Sequence, residues 1–255
     1  MKKMRSIIYT FIATLFLVII SSSVSFAANA NYKTQNVPCL GAYSVLDGYY
    51  IVNEKLYHTD ATGETEELVS VAGESYLTKS VSAVYAGNVY ITGSGDMYID
   101  GNETLKTYVY NIAERRIIST YNCALINVTD GYAVSQDKYD SGMNPYPVSI
   151  YKLTSNGMKK VKTLTKRSRY VKMIGKGKNK RILYSYYPKK LSMSQMNIYS
   201  VKVNGKGKKK LATLKQKDPS YSGIILNYAN TKYCKVFNGG FYKYVYKDKK
   251  YIKLN

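Results

Sequence analysis

An all-β chain of repeated four-stranded units is what this sequence predicts, on three observations. No stretch beyond residue 40 carries a helical apolar period, and short runs rich in Tyr, Val and Ile alternate with Gly, Asn, Asp and Lys clusters. A tyrosine-centred hairpin pattern recurs at intervals of 41 to 53 residues. The composition is globular: 255 residues, 45% hydrophobic and 21% charged, with 18 Gly and 5 Pro. That balance excludes collagen-like, coiled-coil and wholly disordered chains.

The strand-like runs include GYYIV at 48–52, NVYIT at 88–92, TYVYNI at 107–112 and RILYSYY at 181–187. Tyrosine and β-branched residues suit a pleated, half-buried surface, and the intervening clusters are turn formers. The repeat joins an apolar residue and a tyrosine, through a short turn, to a second strand with Leu, Val or Ile. Its anchor tyrosines are Tyr57, Tyr110, Tyr151, Tyr199 and Tyr246. A glycine follows six residues later in three units, at Gly63, Gly157 and Gly205. Asn156-Gly157 and Asn204-Gly205 are dipeptides suited to the positive φ angles of a tight hairpin. Two further strand-like runs precede each anchor, as in CALINV at 123–128 and GYAVSQ at 131–136. Four strands every 40–50 residues predict a β-propeller of five blades.

Residues 1–27 read as a cleaved signal peptide. Lys2, Lys3 and Arg5 form its basic start, Ile7 to Ile20 its apolar stretch, and Ser25-Phe26-Ala27 its cleavage site. The apolar stretch is shorter than the roughly 20 residues that span a bilayer. The expected organisation is a signal peptide over 1–27, a lead-in over 28–39 and a single propeller domain over 40–255. No transmembrane segment is expected in the mature chain, which is read as secreted, extracellular and associated with the cell wall. Three cysteines permit at most one intrachain pair. Ring closure would bring the first and last blades together, making a disulfide between Cys39 and Cys234 geometrically available and leaving Cys123 free.

IYKLTSNGMKKVKTLT at 150–165 and IYSVKVNGKGKKKLATL at 198–214 resemble the IYxxxxDGxxxxxLT blades of secreted Gram-positive β-propellers of unknown function. That family is distantly TolB-like and YWTD-like. YHTD at Tyr57–Asp60 is similar to the YWTD pattern, with His58 in place of Trp; the other four units lack Thr and Asp there. The resemblance implies the fold and a cell-surface setting, and brings no catalytic residues with it.

Charge is the strongest functional signal. The formal charge is +22, unevenly spread. Residues 28–140 carry 7 Lys and Arg against 14 Asp and Glu, whereas residues 141–255 carry 28 against Asp218 and Asp248 alone. Such a field concentrates polyanions near the surface and weakens as salt rises. The candidate polyanion-binding residues fall in three runs at turns: Lys166, Arg167 and Arg169; Lys176, Lys178, Lys180 and Arg181; and Lys206, Lys208, Lys209 and Lys210. Lys247, Lys249 and Lys250 form a further group. The expected partner is an anionic cell-wall polymer or an acidic glycan, with a partner protein or a second copy as another occupant of the basic half. Tyr184, Tyr186 and Tyr187 could stack on bases, but the compartment argues against nucleic acid as a physiological target.

The rival class is a carbohydrate-active enzyme of the five-bladed glycoside hydrolase type, with paired carboxylates in the central channel. Asp60, Asp96 and Asp130 are its candidates, and His58 is the one histidine available as a base. The Gly-rich stretch at 93–103 brings Asp96, Asp100 and Glu103 together as oxygen donors for Ca²⁺, without the alternating spacing of an EF-hand loop. The expectation is a non-catalytic binding or scaffold protein that needs no cofactor.

Overall fold

A computed structural model describes residues 45–71, 77–95, 105–137, 146–175, 179–189, 192–218, 220–221 and 223–254. The strands fall into five antiparallel meanders, each hydrogen-bonded in chain order. Blade 1 contains β1 (Tyr49–Val52), β2 (Lys55–Thr59) and β3 (Thr65–Ser70). Blade 2 contains β4 (Leu77–Tyr85), β5 (Asn88–Gly95), β6 (Lys106–Asn111) and β7 (Arg116–Tyr121). Blade 3 contains β8 (Ala124–Thr129), β9 (Tyr132–Gln136), β10 (Tyr146–Thr154) and β11 (Gly157–Ser168). Blade 4 contains β12 (Val171–Ile174), β13 (Arg181–Tyr186), β14 (Gln195–Lys202) and β15 (Lys209–Lys215). Blade 5 contains β16 (Ile225–Ala229), β17 (Tyr233–Phe237), β18 (Phe241–Val245) and β19 (Lys250–Lys253). The chain is an all-β, five-bladed β-propeller.

Three blades open with the same turn. Asp47-Gly48, Ala86-Gly87 and Asp130-Gly131 all have positive φ at both positions, from 48° to 79°. Two consecutive positive φ angles match the right-handed twist of the flanking strands. Blade 1 shows three described strands because β1 follows this turn and is therefore the second strand of its unit. The Leu46–Tyr49 bridge is the end of its first strand, whose remainder lies outside the described residues.

The anchor tyrosine has a fixed place in this framework. The ladder between third and fourth strands slips immediately before Tyr57, Tyr110, Tyr151 and Tyr199. Such a bulge increases local twist. Blade 5 has no slip there. The amide that follows the last third-strand pair donates to the first turn at Thr59, Ile112, Leu153 and Tyr246. Tyr244, two residues before Tyr246, therefore occupies the anchor place in blade 5, which corrects the spacing read from the sequence.

Each anchor packs backward on the preceding blade, and the residue before it packs forward. Tyr110, Tyr151, Tyr199 and Tyr244 belong to the clusters joining blades 1 and 2, 2 and 3, 3 and 4, and 4 and 5. Leu56, Val109, Ile150 and Ile198 point forward into those same four clusters and are completely buried. A strand alternates its faces with period two, so a single Leu-Tyr or Ile-Tyr dipeptide serves both neighbours.

Polar staples fix the blades at their turns. Buried Asn88 donates its Nδ2 hydrogens to the carbonyls of Thr154 and Ser155, both at 2.9 Å, and accepts from Asn111. Asn88→Ala should destabilise the protein by about 1–2 kcal/mol, because it removes three part-buried hydrogen bonds, although the Thr154 carbonyl keeps the Tyr90 hydroxyl as a donor at 2.9 Å. Denaturant unfolding checks this; a change below about 0.5 kcal/mol would mean that the turn finds other donors.

Candidate polyanion-binding surface

An antiparallel meander places its first and third turns at one end and its second turn at the other. In blade 4, Lys180 and Arg181 stand at the start of β13, and the third turn runs from Val203 to Lys208. Lys180 and Arg181 thus share one end of one sheet with the 206–210 run. Lys180 ties this end to blade 3: its Nζ lies 2.9 Å from Asp130 Oδ2 and also donates to Thr129 Oγ1. Arg181 secures the neighbouring turn, donating from its guanidinium to the Gly207 carbonyl at 2.8 Å and from Nε to Ser200.

The described lysines of the third turn and its flanks are open to water. Lys202, Lys206, Lys208, Lys209 and Lys210 are exposed. Lys208 Nζ lies 4.2 Å from the centre of the Tyr199 ring, which itself stacks on Tyr184. Gly205, with φ of 79°, turns the hairpin against Lys162 of β11; a Cβ there would meet the Lys162 side chain at 3.4 Å. Lys162, also exposed, joins the cluster from the preceding blade. Sequence reading missed Lys162 and Lys202, although their alternation along β11 and β14 puts them on surfaces leading to the turn.

The third predicted run lies elsewhere. Arg167 and Arg169 flank the link into β12, at the opposite end of blade 4. The Arg167 guanidinium stands 5.7 Å over the Tyr186 ring, and Arg169 approaches Met193 Sδ at 2.9 Å. Lys166 is exposed beside them. Lys176 and Lys178 lie outside the described residues. Lys232, Lys247, Lys249 and Lys250 continue the first end into blade 5, where all four are exposed.

Among the described residues, none of Lys162, Lys202, Lys206, Lys208, Lys209 and Lys210 forms an ion pair. Four ion pairs lie within or between blades 1 and 2: Lys55–Glu67, Lys79–Glu54, Arg115–Glu66 and Arg116–Glu114. The other two involve Asp137 and Asp130 of blade 3. These six lysines therefore remain available to an external anion.

Candidate groups for catalysis have local structural roles. Asp60 Oδ1 accepts from the Thr62 hydroxyl and amide and from the Glu64 amide. The Thr62 hydroxyl bond leads in holding the Asp60 carboxyl below its ordinary range. Asp130 is bound to Lys180, and the His58 ring packs 4.3 Å from Tyr49. Asp96, Asp100 and Glu103 lie outside the described residues, as does Cys39. Cys123 and Cys234 are free and buried, and burial pushes both thiols up to about 12. Cys234 sits on the face of blade 5 that packs against blade 4.

These features define a repeat-built propeller with one strongly basic end. No family model matches the chain, and no curated protein matches it. Among solved structures it is similar to TolB from Acinetobacter baumannii, at 12% identity and a TM-score of 0.31. The match covers 79% of this chain and 49% of TolB, so the chain spans about half of that protein's length. At that TM-score the likeness carries no argument, and the fold rests on the sheets and their packing. Among the described residues, no helix is long and apolar enough to cross a membrane.

Proposed function

We propose that this protein is a secreted, non-catalytic binding propeller of the cell envelope, whose basic turn end engages an anionic polymer such as teichoic acid or an acidic glycan. The observation that carries this reading is the group of exposed lysines at one end of blade 4, extended by Lys162, with no carboxylate paired to them among the described residues. Closely spaced cations repel one another, and an anionic polymer relieves that repulsion while releasing its counterions. Rigid hairpins hold these charges at a fixed spacing, so binding does not first have to order a flexible tail.

The test uses purified mature protein and isolated cell walls, with and without their teichoic acid, over a range of salt. Capture should follow the anionic polymer and fall steeply towards physiological ionic strength. Equal capture by stripped walls, or salt-independent binding to a neutral glycan, would overturn this reading.

A further inference from the structure

The outward face of blade 5 breaks the rule that the other four blades obey. The central pair on the forward face is Ile51–Leu56 in blade 1, Tyr90–Val109 in blade 2, Val134–Ile150 in blade 3 and Ser185–Ile198 in blade 4. In blade 5 it is Lys235–Lys243. Like charges directly opposite one another in a sheet are destabilising; Lys243 Nζ lies 4.5 Å from the centre of the Tyr233 ring on its own blade, whereas Lys235 is exposed and forms no ion pair among the described residues. Hydrophobic pairs flank the lysines: Phe237–Phe241 on one side and Tyr233–Val245 on the other. Phe241 is 58% exposed and Ile252 45% exposed on this same face. Among the described residues, no buried cluster joins blade 5 to blade 1.

Blade 1 presents the complementary surface. Its anchor Tyr57 faces backward, as every anchor does, but no described blade precedes it. Tyr57 stacks on Tyr50 with ring centres 5.7 Å apart and planes at 17°. Beside this stack the exposed Glu67 carboxylate accepts from the Tyr57 hydroxyl and from Lys55. Residues 45–71 hold six carboxylates and one lysine, while residues 223–254 hold seven lysines and one aspartate.

We infer that the outward face of blade 5 takes the backward face of blade 1 from a second copy of this chain, assembling copies head to tail. Lys235 and Lys243 meet the Tyr50–Tyr57 stack and the Glu67 carboxylate, so cation–π contact and charge pairing replace the aliphatic contacts of the other interfaces. The contact repeats between chains the forward-on-backward packing made four times within one. Among the described residues neither face is covered by another blade, and a second copy can fill each of them in the way every inner blade is filled; closure onto the chain's own first blade is the outcome that the isotope cross-link below separates. Such a heterologous contact need not close, and it grows with concentration. This surface is distinct from the lysine end of blade 4, so the polymer-binding reading stands or falls separately.

Light scattering on the purified mature chain should show mass rising with concentration and falling with salt. Lys235→Glu with Lys243→Glu should abolish that rise, and Glu67→Lys in otherwise native chain should weaken it at least about tenfold. Each blocked variant keeps one good face, so mixing the Lys235→Glu/Lys243→Glu chain with native chain should shorten the assemblies. Zero-length cross-linking of mixed light and heavy-isotope chains should join Lys243 to Glu67 in mixed-isotope peptides. A monomer at every concentration, or this cross-link found only within single chains, would overturn the inference.

Discussion

Raising the pH beyond about 10 should unfold this protein cooperatively, within little more than one pH unit. The cause is the buried tyrosines and thiols between the blades. Burial pushes Tyr90, Tyr187 and Tyr251 up from 10.0 to about 12, and Cys123 and Cys234 up from 9.0 to about 12. Burial also raises Tyr151, Tyr184 and Tyr246. These acids are neutral when protonated, so raised values mean that the folded state holds protons the unfolded chain releases. Their contribution is constant below about pH 9 and then falls as pH rises, through the window from 9 to 12 for the thiols, from 10 to 12 for Tyr90, Tyr187 and Tyr251, and from 10 upward for the other three tyrosines.

The magnitude decides the outcome. A fully buried group costs at most about 1.4 kcal/mol per pH unit within its window. Cys123, Cys234 and Tyr187 approach that value; the phenols nearer to water contribute less. Their sum over a single unit is several kcal/mol, against a total stability of about 5–15 kcal/mol for an ordinary domain. Phenolate absorbance and circular dichroism should therefore change together, with the buried tyrosines titrating only as the sheets melt. Tyr184→Phe is the informative variant. The Tyr184 hydroxyl is buried without a hydrogen-bond partner among the described residues, so its removal should leave neutral-pH stability unchanged or raise it by about 1 kcal/mol. It should also move the alkaline transition upward. Smooth titration of every tyrosine near pH 10 with the sheets intact would show that the blades are not packed as described.

The repeat was legible in the sequence because a strand writes its two faces as alternating residues. Leu56-Tyr57, Val109-Tyr110, Ile150-Tyr151 and Ile198-Tyr199 carry the whole forward-and-backward packing rule. The Asp47-Gly48 and Asp130-Gly131 turns carry a hairpin dipeptide that the sequence reading passed over, and they explain why blade 1 starts on its second strand. The fifth anchor was misplaced for a physical reason: Tyr244 and Tyr246 share a face of the strand direction, and only the absent bulge and the Tyr246–Lys232 backbone bond distinguish them. The basic runs were visible as charge, but their grouping was not. The division of the 166–169 run from the 206–210 run depends on which end of a sheet each turn occupies. The bond from Lys180 to Asp130 spans fifty residues, and nothing local in the sequence announces it.

Reversing Lys162, Lys206, Lys209 and Lys210 to Glu should reduce affinity for anionic polymer by at least about tenfold at physiological salt, with each reversal removing roughly one unit from the salt slope. All four side chains are exposed and unpaired among the described residues, so each change should alter stability by no more than about 0.5 kcal/mol. Lys180 and Arg181 are left in place because they brace blade 4 against blade 3 and its own turn; replacing them would mix a folding defect with a binding one. The decisive comparison is with the opposite end of blades 3 and 4. Lys166→Glu and Lys189→Glu change the net charge in the same sense, on exposed residues remote from the lysine hairpins. If polymer is held by the turn end, each of these reversals should cost much less than each of the four, because screening confines an exposed charge to about 8 Å at 0.15 M salt. Equal losses per reversed charge at both ends would mean that the polymer responds to the net charge of the basic half and that the geometry of blade 4 selects nothing.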